Sequence, residues 1–343
     1  MYEKHFSFKH KPFELVPNPD FLFLSSTHKK ALTYLDYGIQ EKIGFILLTG
    51  EIGSGKTTII RNLIKNLNAS VRLSRINNTK VSSEQLISMI NEDFGLEVEG
   101  KNKTKLLSDL NEFLIDQYSK KFQPILLIDE AQNLSPDLLE EIRLLSNLET
   151  DRAKLLQIML VGQTELKKTL MLPELMQLRQ RININYHITP LTIDETVKYI
   201  RHRLTIAGNP DAMRFQGDMP GLIYRFSGGI PRLINILCDF ALLTAFTEGE
   251  KEINADIIRE VAHDLESRDY RNEPQDNTVS LTAKKDESPD LLKEVGNIAL
   301  RLINLEETIK KNLPEITVLT EKVDRLEKDI SELREQVFLK EQL

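Results

Sequence analysis

The chain has 343 residues, of which 41% are hydrophobic and 28% are charged, and its formal net charge is −7. This length accommodates two domains and an extension, and the acidic balance excludes a broad electrostatic attraction to nucleic acid. A single cysteine, Cys238, excludes an intramolecular disulfide. The N-terminus has no signal-peptide pattern and no apolar run is long enough to span a bilayer, so we expect a cytoplasmic protein.

Residues 1–43 are predicted to form an N-terminal extension that contains one helix. Three prolines punctuate its first half as an extended stretch. Ser25 or Ser26 would cap a helix that continues through Ile39.

The segment GEIGSGKTT at residues 50–58 lies between a short apolar run, 44–49, and a run with helical spacing, 58–67. A strand, a glycine-rich loop and a helix in this order predict a phosphate-binding P-loop. The glycines let backbone N–H groups approach the phosphates, and the helix directs its positive end at the same anion. We therefore expect a nucleotide to contact Gly50, Glu51, Ile52, Gly53, Ser54, Gly55, Lys56, Thr57 and Thr58.

Two side chains of this loop have specific expected roles. Lys56 would neutralise the β and γ phosphates, and the Thr57 hydroxyl would hold Mg²⁺. A second apolar run ends in the adjacent carboxylates Asp129 and Glu130. Because ligands bind at the carboxyl ends of strands in open α/β sheets, Asp129 is expected in the Mg²⁺ shell and Glu130 is expected to polarise an attacking water. The alternative for Glu130 is a cap of the following helix.

Apolar runs alternate with helical patterns over residues 44–190, which predicts a parallel sheet covered by helices on both faces. The candidate strands are 44–49, 71–76, 124–129, 155–161 and 183–188. Residues 191–266 are predicted to form a separate helical domain. Its candidate helices are 192–207, 217–227, 231–247 and 254–266.

The last part of the sequence changes character twice. Residues 267–290 are polar and contain two prolines, which is typical of a flexible linker. Residues 291–340 show heptads with β-branched first positions and leucine-rich second positions, which favour a parallel two-stranded coiled coil interrupted at Pro314. The alternative is an amphipathic helix that folds back onto the rest of the chain.

Five segments together resemble the AAA+ ATPases of the general secretion pathway A group, or ExeA type. They are GEIGSGKTT, LLIDEAQNL, LVGQTEL, LRQRI and SGGIPRLIN. The resemblance covers about residues 1–266 and implies a three-layer α/β P-loop fold with a small all-α lid, binding ATP and Mg²⁺. Many secretion-type relatives carry a membrane span and a peptidoglycan-binding domain after the ATPase. Residues 267–343 match neither, so the resemblance is to the shorter cytoplasmic members.

The resemblance also implies roles for four further residues. Gln163 stands at the position of the first sensor and Arg232 at that of the second, and both would report the state of the γ-phosphate. Arg179 and Arg181 precede a strand where AAA+ rings place an arginine finger that acts on the neighbouring subunit; Arg181 is favoured. The alternatives are a polar residue at a strand end for Gln163 and a surface or capping arginine for Arg232.

The function implied is that of an ATP-hydrolysing motor or switch that assembles or remodels a secretion, pilus or exopolysaccharide-export system. The chain would self-associate as a ring and through its coiled coil, and would act in the cytoplasm or at the inner membrane through a partner. ATP rather than GTP rests on the resemblance. Two alternatives stay open, a DNA-associated regulator of the transposition type and a nucleotide-dependent scaffold without turnover, although nucleic acid is not the expected partner.

Overall fold

A computed structural model describes residues 2–16, 18–150, 153–213, 215 and 217–267. The predicted linker beyond residue 267 and the predicted coiled coil at 291–340 lie outside these residues. The described helices are α1 Tyr2–His5, α2 Ser26–Gln40, α3 Lys56–Lys65, α4 Ser83–Asp93, α5 Lys103–Ser119, α6 Pro136–Leu145, α7 Thr164–Leu170, α8 Met176–Arg181, α9 Ile193–Ala207, α10 Met219–Ser227, α11 Pro231–Glu248 and α12 Ala255–Ser267. None of them is both long and apolar enough to cross a bilayer.

The sheet is parallel, with strand order β2-β3-β6-β1-β7. The described strands are β1 Phe45–Gly50, β2 Val71–Ile76, β3 Gln123–Ile128, β4 Glu149–Thr150, β5 Ala153–Lys154, β6 Gln157–Gly162 and β7 Ile184–Ile188. The predicted α/β class is therefore confirmed, and the predicted strands of the sheet agree with the structure to within two residues at each end. No sequence pattern predicted the small antiparallel pair β4–β5, which lies just before β6.

Strand β1 shows why the apolar runs read as buried strands. Phe45 and Leu47 pack on one face of the sheet and Ile46 and Leu48 pack on the other, and all four are at most 2% exposed. A parallel strand covered on both faces needs apolar side chains at every position rather than at alternate ones. The carboxyl ends of β1, β3 and β6 consequently open at one edge of the sheet, where the glycine loop begins.

Helix starts follow the capping residues of the sequence. Ser25 caps α2 and accepts a hydrogen bond from the His28 N–H, and Thr192 caps α9 in a capping box with Glu195. Of the two candidate caps for the first predicted helix, the structure therefore selects Ser25. Helix α11 begins at Pro231, which is favourable at a first helical position because its missing N–H has no partner there in any helix.

The segment before α2 packs into the helical region rather than standing apart as an extension. Phe6, Phe8 and Phe13 are buried in one apolar cluster with residues of α9, α10, α11 and α12. This segment also contains α1 and a 3₁₀ turn at Pro19–Phe21, whereas the sequence predicted one helix for residues 1–43. The aromatic residues are separated by prolines and charges, so no periodic pattern marks them as core.

Candidate nucleotide-binding site

The glycine loop connects β1 to α3 with backbone that requires glycine at two positions. Gly53 and Gly55 have φ of +78° and +97°, in the left-handed region. A Cβ on Gly53 would lie 2.4 Å from the Cβ of Arg232, and a Cβ on Gly55 would lie 2.8 Å from Nε2 of His28. The loop is therefore closely packed on both sides, and its N–H groups precede the N-terminus of α3, which favours a bound anion.

Lys56 is the first residue of α3, and its side chain folds back along the loop. Its Nζ donates hydrogen bonds to the carbonyl oxygens of Gly50, at 2.7 Å, and Glu51, at 2.8 Å. Burial lowers the pKa of the Lys56 ammonium, and the nearby carboxylates of Glu130 and Asp129 partly offset this effect. The charged group is thus held at the loop where phosphate oxygens would bind.

Asp129 and Glu130 directly follow β3 and face the same edge of the sheet. Asp129 is 5% exposed; its Oδ2 accepts a hydrogen bond from Arg75 at 3.0 Å and its Oδ1 accepts one from the Glu130 N–H at 3.1 Å. Glu130 has a φ of +53°, which is strained for a residue with a side chain. The turn after β3 thus directs the two adjacent carboxylates to different partners.

Gln163 follows β6 and contacts Glu130 directly. Its Nε2 donates to Oε2 of Glu130 at 3.2 Å, and Gln132 donates to the same oxygen at 2.6 Å. The Gln163 N–H donates in turn to Oε1 of Gln132 at 3.0 Å. The structure therefore brings together the two residues expected to handle the attacking water, and it adds Gln132 as a link between them.

Arg232 reaches the loop from the helical region. It is the second residue of α11, and its Cβ contacts the loop at Gly53. The turn before α11 is fixed because Gly229, at φ +78°, has no room for a side chain: a Cβ there would lie 2.0 Å from the carbonyl oxygen of Leu191. The N-terminus of α11 and the glycine loop consequently lie on the same side of the cavity.

Arg179 and Arg181 lie elsewhere, at the end of α8. Arg179 donates to the carbonyl oxygen of Leu170 at 3.1 Å, and Arg181 donates to the Ser146 hydroxyl and to the carbonyl oxygen of Arg143. Neither guanidinium lines the cavity described below. The structure therefore does not bring either arginine to the glycine loop of its own chain.

A cavity of about 530 Å³ lies between the glycine loop, the N-terminal segment and the helical region. Its lining includes Val16, Lys56, Thr57, Glu130, Tyr199 and Arg232. The volume is typical of a small-molecule site, and one end is polar and charged while the other contains apolar residues. This polarity matches a nucleotide, whose phosphates would lie at the loop and whose base would lie against the N-terminal segment.

The residues at the polar end also fit a magnesium nucleotide. The Thr57 hydroxyl and the Asp129 carboxylate are oxygen ligands, which Mg²⁺ prefers.

Sequence reasoning missed three residues that contact this site. His28 lies against the glycine loop, Arg75 pairs with Asp129, and Gln132 pairs with Glu130. Gln132 stands two positions after Glu130 in the motif, so its position was available as a signal. Arg75 lies on β2 and His28 on α2, and only the folded chain brings them to the loop.

Comparison with known proteins agrees with this geometry. Residues 39–170 match the family model described as an AAA domain. The chain is 42% identical over 254 residues to general secretion pathway protein A of Aeromonas hydrophila, a match that covers 74% of this chain and 46% of that protein. The chain thus spans about half the length of this curated relative.

Solved structures with the same fold have much lower sequence identity. The Aeropyrum pernix ORC1 protein in complex with DNA has a TM-score of 0.56 at 17% identity, covering 76% of this chain and 70% of that chain. Cdc6p from Pyrobaculum aerophilum has a TM-score of 0.55 at 20% identity, covering 73% of this chain and 71% of that chain. These likenesses show the shared P-loop fold and nothing finer.

Proposed function

Because the AAA region of this chain belongs to the family of general secretion pathway protein A, we propose that the chain hydrolyses ATP to drive the assembly or remodelling of a secretion, pilus or exopolysaccharide-export system. The observation that carries hydrolysis is the contact between Glu130 and Gln163 at the edge of the sheet that also presents Lys56. A protein that only held a nucleotide would need the loop but not a second carboxylate beside a water-orienting amide.

Each residue of the site has a separate role in the proposed hydrolysis. Lys56 and the loop N–H groups bind the phosphates. Thr57 and Asp129 would hold Mg²⁺, which would supply further neutralisation of the phosphate charge there. Glu130 accepts the proton of the attacking water, and Gln163 orients that water by its amide. The hydrogen bonds from Gln132 and Gln163 to Oε2 of Glu130 must loosen before this carboxylate engages a water. Arg232 would contact the γ-phosphate from the start of α11.

The proposed finger arginine belongs to a second copy of the chain. Arg181 does not line the cavity of its own chain, and exposed apolar side chains occur on α8 and on the segments that its arginines contact, namely Met176 at the start of α8, Met171 beside Arg179 and Leu144 next to Arg143. Exposed apolar residues of this size are favourable at contacts between subunits. We therefore propose that this surface packs against a neighbour's site in a ring, with Arg181 rather than Arg179 contacting the neighbour's nucleotide.

Two other functions compete with this proposal. A DNA-associated regulator is the second candidate because a protein of the same fold, the Aeropyrum pernix ORC1 protein, is solved in complex with DNA, but the net charge of −7 opposes binding to a polyanion. A scaffold that binds nucleotide without turnover would leave the Glu130–Gln163 pair without a role. We propose that the chain acts in the cytoplasm or at the inner membrane through a partner, and the name of its relative supports this location.

The test of hydrolysis compares Glu130→Gln with the parent chain. We expect Mg²⁺-dependent phosphate release by the parent, and a loss of about 100-fold or more in kcat for Glu130→Gln with nucleotide affinity retained, because the amide cannot accept the proton. The control is Glu92→Gln, an exposed carboxylate on α4, which should leave kcat unchanged. Equal turnover in Glu130→Gln and the parent would contradict the assignment, and tight binding without turnover in the parent would favour the scaffold.

A further inference from the structure

His28 on α2 contacts the glycine loop directly. Its side chain is 6% exposed, and its Nε2 lies 2.9 Å from the carbonyl oxygen of Ser54. A carbonyl oxygen only accepts hydrogen bonds, so Nε2 carries the proton and donates it. The contact therefore fixes the tautomer of the ring.

The other ring nitrogen faces the cap of its own helix. Nδ1 lies 2.7 Å from the Ser25 hydroxyl and 3.4 Å from the Ser25 N–H, so it accepts a hydrogen bond from Ser25. Burial lowers the pKa of His28, although the Ser54 carbonyl and Glu195 partly oppose this effect. The ring is consequently neutral near pH 7, with one donor on the loop and one acceptor on the cap.

The contact on Ser54 determines the direction of the next backbone N–H. In a trans peptide the C=O and the following N–H lie in one plane and point in opposite directions. Holding the Ser54 carbonyl toward His28 therefore directs the Gly55 N–H away from His28, and in the proposal this is the orientation in which that N–H donates to phosphate. Gly55 alone would not hold this orientation, because a glycine at φ +97° has many other accessible conformations.

The same helix end is also tied to the helical region. The Ser26 N–H and hydroxyl both donate to Oε1 of Glu195, at 2.9 and 2.8 Å, and Oε2 of Glu195 accepts from the Thr192 N–H at 3.2 Å. Glu195 thus holds the first turns of α2 and α9 together. A continuous set of hydrogen bonds runs from the glycine loop through α2 to α9.

We propose that His28 is a positioning residue that holds the Ser54–Gly55 peptide in its phosphate-binding orientation and that, through the start of α2, it couples the glycine loop to α9. The proposal deepens the proposed function and rests on it only for the binding of a nucleotide to the loop. Hydrolysis is not required. The two ideas therefore fail on different measurements.

Two substitutions at this position separate the loop contact from the cap contact. In His28→Gln the amide nitrogen reaches the place of Nε2 and still donates to Ser54. In His28→Asn the shorter side chain stays near the place of Nδ1, so it keeps the cap contact but does not reach Ser54. We expect the affinity for ADP to fall about tenfold in His28→Asn, the effect of one lost hydrogen bond, and less than about threefold in His28→Gln. KM for ATP should follow the same pattern with kcat unchanged.

A purely structural role for His28 predicts a different result. It predicts either that both variants lower the unfolding midpoint and lower the affinity for ADP equally, or that neither variant lowers this affinity. Either result would overturn the proposal. ADP binding by a parent chain that releases no phosphate would refute hydrolysis alone. A parent that binds no ADP would refute both ideas.

A second measurement reads the His28 tautomer in the parent chain and uses a variant only to assign its signals. Nitrogen-15 NMR of labelled histidine distinguishes the two neutral tautomers, and the His28 signals are identified by their loss in His28→Gln. We expect the Nε2–H tautomer at pH 7. A neutral ring with its proton on Nδ1 cannot donate to the Ser54 carbonyl through Nε2, and this result would overturn the proposal.

Discussion

The two sides of the cavity are held together by different forces. On the phosphate side, backbone geometry and charge dominate: two glycines with positive φ, a buried Lys56 and the carboxylates after β3. On the opposite side, the N-terminal segment and the four helices α9–α12 share one apolar cluster. The first arrangement is built for a ligand and the second for stability. Substitutions on the two sides should therefore separate binding from folding.

Contacts on the opposite side join residues that are far apart in sequence. Arg203 on α9 donates hydrogen bonds to the carbonyl oxygens of Pro12 and Glu14, and Tyr2 bonds to Asp239 on α11. The cluster would lose part of its packing if the first residues were removed. The N-terminal segment is therefore part of the wall of the cavity as well as of the core.

The largest expected effect on nucleotide binding lies on the phosphate side. Lys56→Ala removes the buried charge that would neutralise phosphate, and charge-assisted hydrogen bonds are about twice as strong as neutral ones. We expect nucleotide binding to fall by about 100-fold or more, measured by calorimetric titration, while the circular dichroism spectrum stays that of the parent. The control Lys30→Ala, an exposed lysine on α2, should bind as the parent does. Retained nucleotide binding in Lys56→Ala would show that the phosphates do not bind at this loop.

The next effect should appear in stability. Phe13 is 1% exposed in the helical cluster, and truncating a buried phenylalanine costs about 3 to 5 kcal/mol. We expect Phe13→Ala to lower the free energy of unfolding by this amount, measured by urea titration. Cys238 on α11 is fully buried in the same cluster, and burial raises the pKa of its thiol, so the thiol reacts slowly in the folded chain. Because Phe13→Ala destabilises this cluster, the rate of alkylation of Cys238 should be higher in Phe13→Ala than in the parent.

An exposed neighbour provides the control for Phe13. Leu15 lies two residues further on and is 53% exposed, so Leu15→Ala should change the free energy of unfolding by less than about 0.5 kcal/mol. If Phe13→Ala lowered the free energy of unfolding as little as Leu15→Ala does, the N-terminal segment would not belong to the helical core. Substitutions on the two sides of the cavity would then not separate binding from folding.

The same contrast explains what the sequence predicts well. The P-loop, the strand before Asp129 and the cap at Ser25 are local patterns, and each occupies fewer than about ten consecutive residues. Phe6 and Phe13 show no helical or strand period, and their partners lie on helices about 200 positions away. Local chemistry could not identify them as core.

His28 and Arg75 illustrate the same limit within the site. Each sits on an element whose type was predicted, yet its role depends on which atoms the fold places opposite it. His28 could have been read only as a residue near a helix start, and Arg75 as a charge in an edge strand. The roles proposed for Gln163, Arg232 and Arg181 came instead from resemblance, and they stay predictions for the experiments above.

The smallest expected effect concerns Arg203, which joins α9 to the N-terminal segment. Its guanidinium is buried, donates to the carbonyl oxygens of Pro12 and Glu14 and to the Tyr199 hydroxyl, and lines the cavity. Arg203→Lys keeps the charge but loses the planar fork, so one of these acceptors loses its donor. We expect a loss of about 1 to 3 kcal/mol in the free energy of unfolding, the cost of a buried polar group left unpaired.

The matched control for Arg203 is Arg201→Lys, two positions earlier on the exposed face of α9, which should leave the unfolding midpoint unchanged. Nucleotide affinity should fall only severalfold in Arg203→Lys, because none of the loop N–H groups is altered. A larger loss of affinity than of stability would mean that Arg203 contacts the nucleotide itself. In that case the N-terminal wall of the cavity would take part in nucleotide binding as well as in the core, and substitutions there would change affinity and stability together.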